Sequence, residues 1–180
     1  MQVVSGTATV SDVTEFVESL AAVGDEHDCV VQAFDARLVA DYDHLRTALR
    51  YAARAHRRDD AIARDPGVEV LLYAAGRRQI ERALAMGVDE GAGPVVVVIA
   101  SDFPHAPLES SEAETTAVDA VADRLDDATT IDPADDDALA ATDPERVREF
   151  FDVDDAELAA TDADLAALVR ERVVLLSIDH

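Results

Sequence analysis

The chain has no lysine and no tryptophan, and its aromatic complement is five phenylalanines and three tyrosines. Without lysine there is no phosphate-loop cation, no Schiff base and no kinase-type nucleotide lysine. There is one cysteine, Cys29, so no internal disulfide forms, which suits a reducing cytoplasm. Set among valines, it reads as a small buried hydrophobe. No apolar run approaches the roughly 20 residues needed to span a bilayer. The longest, Val95 to Ala100, has the length of a buried strand. The first residues lack the basic, apolar, small-residue order of a secretory signal. The expectation is a cytoplasmic protein without membrane contact.

Cations are scarce as well. Fifteen arginines face 39 acidic residues, for a formal net charge of -24. Self-repulsion of that size opposes a compact state in dilute buffer. At about 1 M salt the screening length falls to about 3 Å and the repulsion largely disappears. The composition is that of a high-salt cytoplasm, as in halophilic archaea, and it describes the solvent rather than a partner. The distribution is more telling. Residues 1–36 carry seven acids and no arginine, residues 37–82 ten arginines against seven acids, and residues 83–180 five arginines against 25 acids. One segment has escaped the acidification of the rest.

About half of the 180 residues are hydrophobic, enough for one domain over 1–180. Val3 to Val10 alternates as a first strand, and Ser11 caps a helix carrying Val13, Phe16, Val17 and Leu20. Cys29 to Phe34 reads as a second strand. A helix from about Asp41 to Arg57 places Leu45, Ala48, Leu49 and Ala52 on one face. Val68 to Tyr73 reads as a short apolar strand, followed by a helix over 77–86 that Gly87 stops. Pro94 to Ala100 reads as the most buried strand. Ser111 and Glu114 form a capping box for a helix to about Asp126. Residues 126–142, rich in Asp and Ala, read as a solvated acidic excursion. Pro144 opens a helix to about Phe151, and Thr161 caps a last one. From Val173 to Ile178 the apolar residues cover every face, which leaves helix and strand both open. Strands separated by helices give an α/β (α+β) fold: a small, mostly antiparallel or mixed sheet flanked by helices.

Candidate chemistry is sparse. The five histidines, at 27, 44, 56, 105 and 180, have no zinc-ligand spacing, and no cofactor is expected. Asp102 and His105 form the single acid–base pair near a strand end, with turn and cap roles as the plainer reading. Arg46, Arg50, Arg54 and Arg58 recur every fourth residue, opposite the apolar face of their helix. Two readings stay open: pairing with the chain's own carboxylates, or an anionic partner. The second basic feature is Tyr73-Ala74-Ala75-Gly76-Arg77-Arg78-Gln79-Ile80. A glycine permits close approach, N–H groups at a helix start favour phosphate, and arginines at 77, 78 and 82 can stack on or clasp RNA.

These residues resemble those of a known family, the kinase-binding subunit of the KEOPS complex, also called the PRPK-binding protein family. The likeness runs through Ala61 to Arg64, Val68 to Tyr73, Gly76-Arg77-Arg78-Gln79-Ile80, Ala83 and Gly87-Val88, with Val31 to Ala36 and the C-terminal helix matching in character. Ala61 departs from the pattern, which favours a polar residue there. The resemblance implies a protein without enzymatic activity that docks on the complex's kinase/ATPase subunit. It also implies recruitment of tRNA by its single-stranded 3′ CCA end for threonylcarbamoyl-adenosine modification, and thereby an indirect partner in the transferase subunit. On this reading Arg64, Tyr73, Gly76, Arg77, Arg78, Gln79 and Arg82 form the RNA site. Leu168, Arg172, Val173, Leu175, Leu176 and Ile178 form the kinase-docking face of the C-terminal helix. The alternatives are a purely protein–protein activator of the kinase and a small enzyme using Asp102 and His105.

Overall fold

A computed structural model describes residues 1–134 and 139–178. Part of the predicted acidic excursion (135–138) and His180 therefore lie outside the described residues. In chain order the elements are β1 (Gln2–Val10), α1 (Val13–His27), β2 (Cys29–Asp35), α2 (Tyr42–Arg57), α3 (Pro66–Ala75), α4 (Ile80–Ala83), β3 (Gly91–Ser101), α5 (Glu112–Ala122), β4 (Asp126–Thr130), α6 (Pro144–Phe150), α7 (Asp155–Ala159) and α8 (Leu165–Leu175). The fold is α+β, with a four-stranded antiparallel sheet in the order β2-β3-β1-β4.

The two faces of the sheet separate cleanly because successive strand residues point to opposite sides. Val96, Val98, Ala100, Val3 and Phe34 meet α2, α3, α6 and α8 in the larger core. Val95, Val97, Ile99, Val4 and Ala33 meet α1 and α5 in the smaller one. β3, buried on both faces, is the strand whose unbroken apolar run announced it.

Several boundaries fall elsewhere than the sequence suggests. Val68 to Tyr73 is not a strand but the middle of α3. Asp65 caps it by accepting the Val68 N–H at 2.8 Å, Pro66 opens its first turn, and Gly76, at φ 59°, closes it. Residues 69–75 are buried on every side, so helical periodicity is invisible there. The predicted helix over 77–86 is two short pieces, α4 and a 3-10 turn at Leu84–Met86, because the left-handed Gly76 ends the preceding helix and the chain restarts only at Ile80. Residues 126–130 are not excursion but edge strand β4, paired with β1 through a register shift between Ser5 and Thr7. Val173 to Ile178 continues α8 and ends in turn rather than strand. The caps of α1 and α8 are Asp12 and Asp164 rather than Ser11 and Thr161; each carboxylate accepts an N–H three residues on. Glu114 does not reach back to close a capping box. It turns inward and accepts from the Ser101 N–H at 2.8 Å and its hydroxyl at 3.1 Å. No helix among the described residues is long and apolar enough to cross a membrane.

Candidate functional site

The arginines divide into two populations. Arg37, Arg46, Arg77, Arg146, Arg148, Arg170 and Arg172 each pair with a carboxylate. Arg78 is also engaged. Among the described residues, Arg50, Arg54, Arg57, Arg58, Arg64, Arg82 and Arg124 pair with none, in a chain that holds 39 acids. All but Arg124, which donates to the Ala120 carbonyl at the end of α5, lie between residues 50 and 82, the segment spared acidification.

On α2 the two open readings separate within one helix. Arg46 pairs with Asp43 at 3.3 Å, whereas Arg50 and Arg54 sit over the Tyr51 ring, 5.2 and 5.8 Å from its centre. Tyr51 stacks on Tyr73, centroids 6.3 Å apart. Tyr73 itself is only 2% exposed. Burial is the main cause that pushes its phenol above the ordinary tyrosine range. Its place in α3 keeps the ring inside the core, so it presents a hydroxyl rather than a stacking face.

The Gly76 corner is also occupied from within. The Gly76 N–H bonds to the Tyr73 carbonyl and the Arg77 N–H to that of Leu72, so these donors are already used in closing α3. The open space over the glycine is filled by α8: a Cβ there would lie 3.2 Å from the Arg172 Cβ. Arg77 is half-buried and donates to the Phe150 carbonyl at 2.7 Å and the Asp152 carboxylate at 2.9 Å, stapling this corner to the end of α6. Its charge is thus spent internally. Gln79, Ile80, Arg82 and Leu84 remain outward, Ile80 being 47% and Leu84 56% exposed. Arg64 is exposed too. Its loop is held by buried Glu69, whose carboxylate accepts the Ile62 and Ala63 N–H groups at 3.2 and 2.7 Å.

At the other end of the chain, Leu168, Val173 and Leu176 turn into the larger core. Arg172 pairs with Glu157 at 2.7 Å. What α8 leaves outside are Leu175, 41% exposed, and Ile178, 66% exposed. A half-buried polar hub anchors α8 to α2. Asp41 caps α2 and takes an ion pair from Arg170, while His44 bonds the Ala74 carbonyl through Nε2 at 2.8 Å and accepts the Ala40 N–H at Nδ1. Complete burial lowers the His44 pKa to about 4, so the ring is neutral at neutral pH.

The Asp102–His105 segment is a turn, with the His105 N–H bonded to the Asp102 carbonyl at 2.7 Å and Asp102 at φ 50°. A backbone turn of this kind is one in which these residue types are common.

Sequence reasoning missed the notch that adjoins the α2 stripe. Arg54 and Arg58 line it together with Tyr51, Asp60, Tyr73 and Ser177. A helical wheel gives the stripe its charge but cannot reveal that the C-terminal segment returns beside it. Residues 8–177 match the family described as kinase binding protein CGI-121. No curated protein matches the chain.

Proposed function

Because the chain belongs to the kinase binding protein CGI-121 family, we propose that it is the non-catalytic KEOPS subunit that docks on the complex's kinase/ATPase and recruits tRNA by its 3′ CCA end. The family match carries the kinase half of this reading. The RNA half is supported by one observation: in a chain of charge -24, six of the seven arginines without a carboxylate partner among the described residues gather in one segment, with Arg64 and Arg82 exposed on either side of α3. Long-range attraction contributes little in molar salt, so RNA is held there by short contacts. Arg64 and Arg82 supply guanidiniums, Gln79 an amide, and Ile80 with Leu84 an apolar surface for unstacked bases. Tyr73, Gly76, Arg77 and Arg78 belong to the same site as its frame, holding the corner from which these groups project. On α8, Leu175 and Ile178 form the kinase-docking surface, with Leu168, Arg172, Val173 and Leu176 fixing the helix beneath them.

The test is the double variant Arg64→Gln/Arg82→Gln in filter binding of intact tRNA at molar KCl. A loss of 1–2 orders of magnitude, about 1–3 kcal/mol for the contacts removed, with kinase capture intact, supports the reading. Unchanged tRNA binding and unchanged kinase stimulation favour the purely protein–protein activator.

A further inference from the structure

Arg54 and Arg58 converge, one helical turn apart, on a notch of about 40 Å³ walled by Tyr51, Tyr73 and Ser177. Three features of this notch point outward to a ligand. First, the two guanidiniums have no carboxylate partner among the described residues, and like charges four apart on a helix repel. Asp60 lines the rim, yet forms no ion pair with either arginine. Second, the Tyr73 ring is buried while its hydroxyl finds no hydrogen-bond partner among the described residues. The hydroxyl is not one of the buried unpartnered atoms, so it reaches the surface at the notch. Third, the volume is far below the roughly 300 Å³ or more of a pocket that encloses a small molecule. It excludes a nucleobase and admits the oxygens of one anionic group.

We propose that Arg54, Arg58 and the Tyr73 hydroxyl form a seat for one phosphate group of an RNA backbone, separate from the contacts made by Arg64 and Arg82. The inference rests on the reading of this chain as a tRNA-recruiting subunit. A tetrahedral phosphate presents oxygens in several directions and so satisfies three donors arriving from two helices. A planar carboxylate presents two oxygens in one plane, and among the described residues no carboxylate pairs with either arginine of the seat. Burial keeps the Tyr73 phenol protonated, hence a donor. Arg50, the next guanidinium along α2, continues the line away from the seat over Tyr51, as a backbone running along the helix would require.

The experiment compares wild type, Arg54→Gln/Arg58→Gln and Tyr73→Phe in filter binding of intact tRNA across a KCl series, with Arg64→Gln/Arg82→Gln alongside. The expected result is a tenfold or greater loss for the double variant and about threefold for Tyr73→Phe. The double variant should also flatten the plot of log affinity against log salt by about one, the signature of one phosphate contact removed. Thermal midpoints and kinase capture should stay at wild-type values, since the arginines are exposed and the phenol ring is retained. Affinity within twofold of wild type in both seat variants, while Arg64→Gln/Arg82→Gln binds poorly, overturns the seat and leaves the tRNA reading standing. Loss of kinase capture with tRNA affinity unchanged also overturns it and makes α2 a protein-docking face. If wild type retains no tRNA, alone or with its kinase, the seat and the reading beneath it fall together.

Discussion

Gly76 and Arg172 are in backbone-range contact: a Cβ at Gly76 would lie 3.2 Å from the Arg172 Cβ and 3.5 Å from its carbonyl carbon. The corner between α3 and α4 and the C-terminal helix thus rest directly on each other. Gly76 also stands at φ 59°, where a side chain is strained. Gly76→Ala is expected to destabilise the fold by about 1–3 kcal/mol and to weaken both kinase capture and tRNA binding, because both proposed surfaces adjoin this contact. Thermal unfolding and the two binding assays check it. Full activity in either assay at lowered stability would separate the surfaces.

His44 predicts a pH response of definite sign. Its folded value of about 4 lies below the ordinary 6.5, so the unfolded chain takes up the proton first. Stability from this site is complete above about pH 6.5, falls as pH drops toward about 4, and levels off below that. Between pH 6.5 and 5, above most carboxylate titration, the loss should be roughly 1–2 kcal/mol. Denaturant titrations in molar KCl should show this slope reduced in His44→Gln. An equal slope in the variant would assign it to other groups.

The apolar surface that α8 leaves exposed, the proposed docking face, is narrower than the apolar run suggests. Removing residues from Val173 onward would take Val173 and Leu176 out of the core, so truncation cannot separate docking from folding. Leu175→Asp and Ile178→Asp do separate them, because both side chains are exposed. Together they should reduce kinase affinity at least a hundredfold while shifting the thermal midpoint by no more than a few degrees. Undiminished capture would move the interface elsewhere.

Salt should govern the fold itself. With charge -24, stability is expected to fall steeply from molar KCl to dilute buffer, where the screening length grows to about 30 Å at 0.01 M. A thermal midpoint that does not move across this range would show that the acidity is not an adaptation to salt.

How far the sequence could be read follows the physics of each segment. Strands β1, β2 and β3 and helix α2 announce themselves, since alternation, an unbroken valine run and a one-sided apolar stripe each have one structural meaning. Val68–Tyr73 does not: five apolar residues around a buried Glu69 carry no period, and the decisive sign is the Asp65-Pro66 start before them. β4 escaped notice because an edge strand of Asp, Ala and Thr buries little and looks like loop. At the site, composition located the basic segment but not the role of each arginine. Arg77 and Arg54 are alike in sequence, and only their neighbours, Phe150 and Asp152 against Tyr51 and Tyr73, divide staple from open charge.

The most direct measurement is the affinity of the chain, alone and with its kinase, for intact tRNA and for the same tRNA lacking its 3′ CCA, in molar KCl. The account predicts that intact tRNA is retained and that removing the CCA end costs at least tenfold, as expected when stacking contacts to unpaired bases are lost. Equal affinity for the two RNAs, or retention of neither, would contradict it.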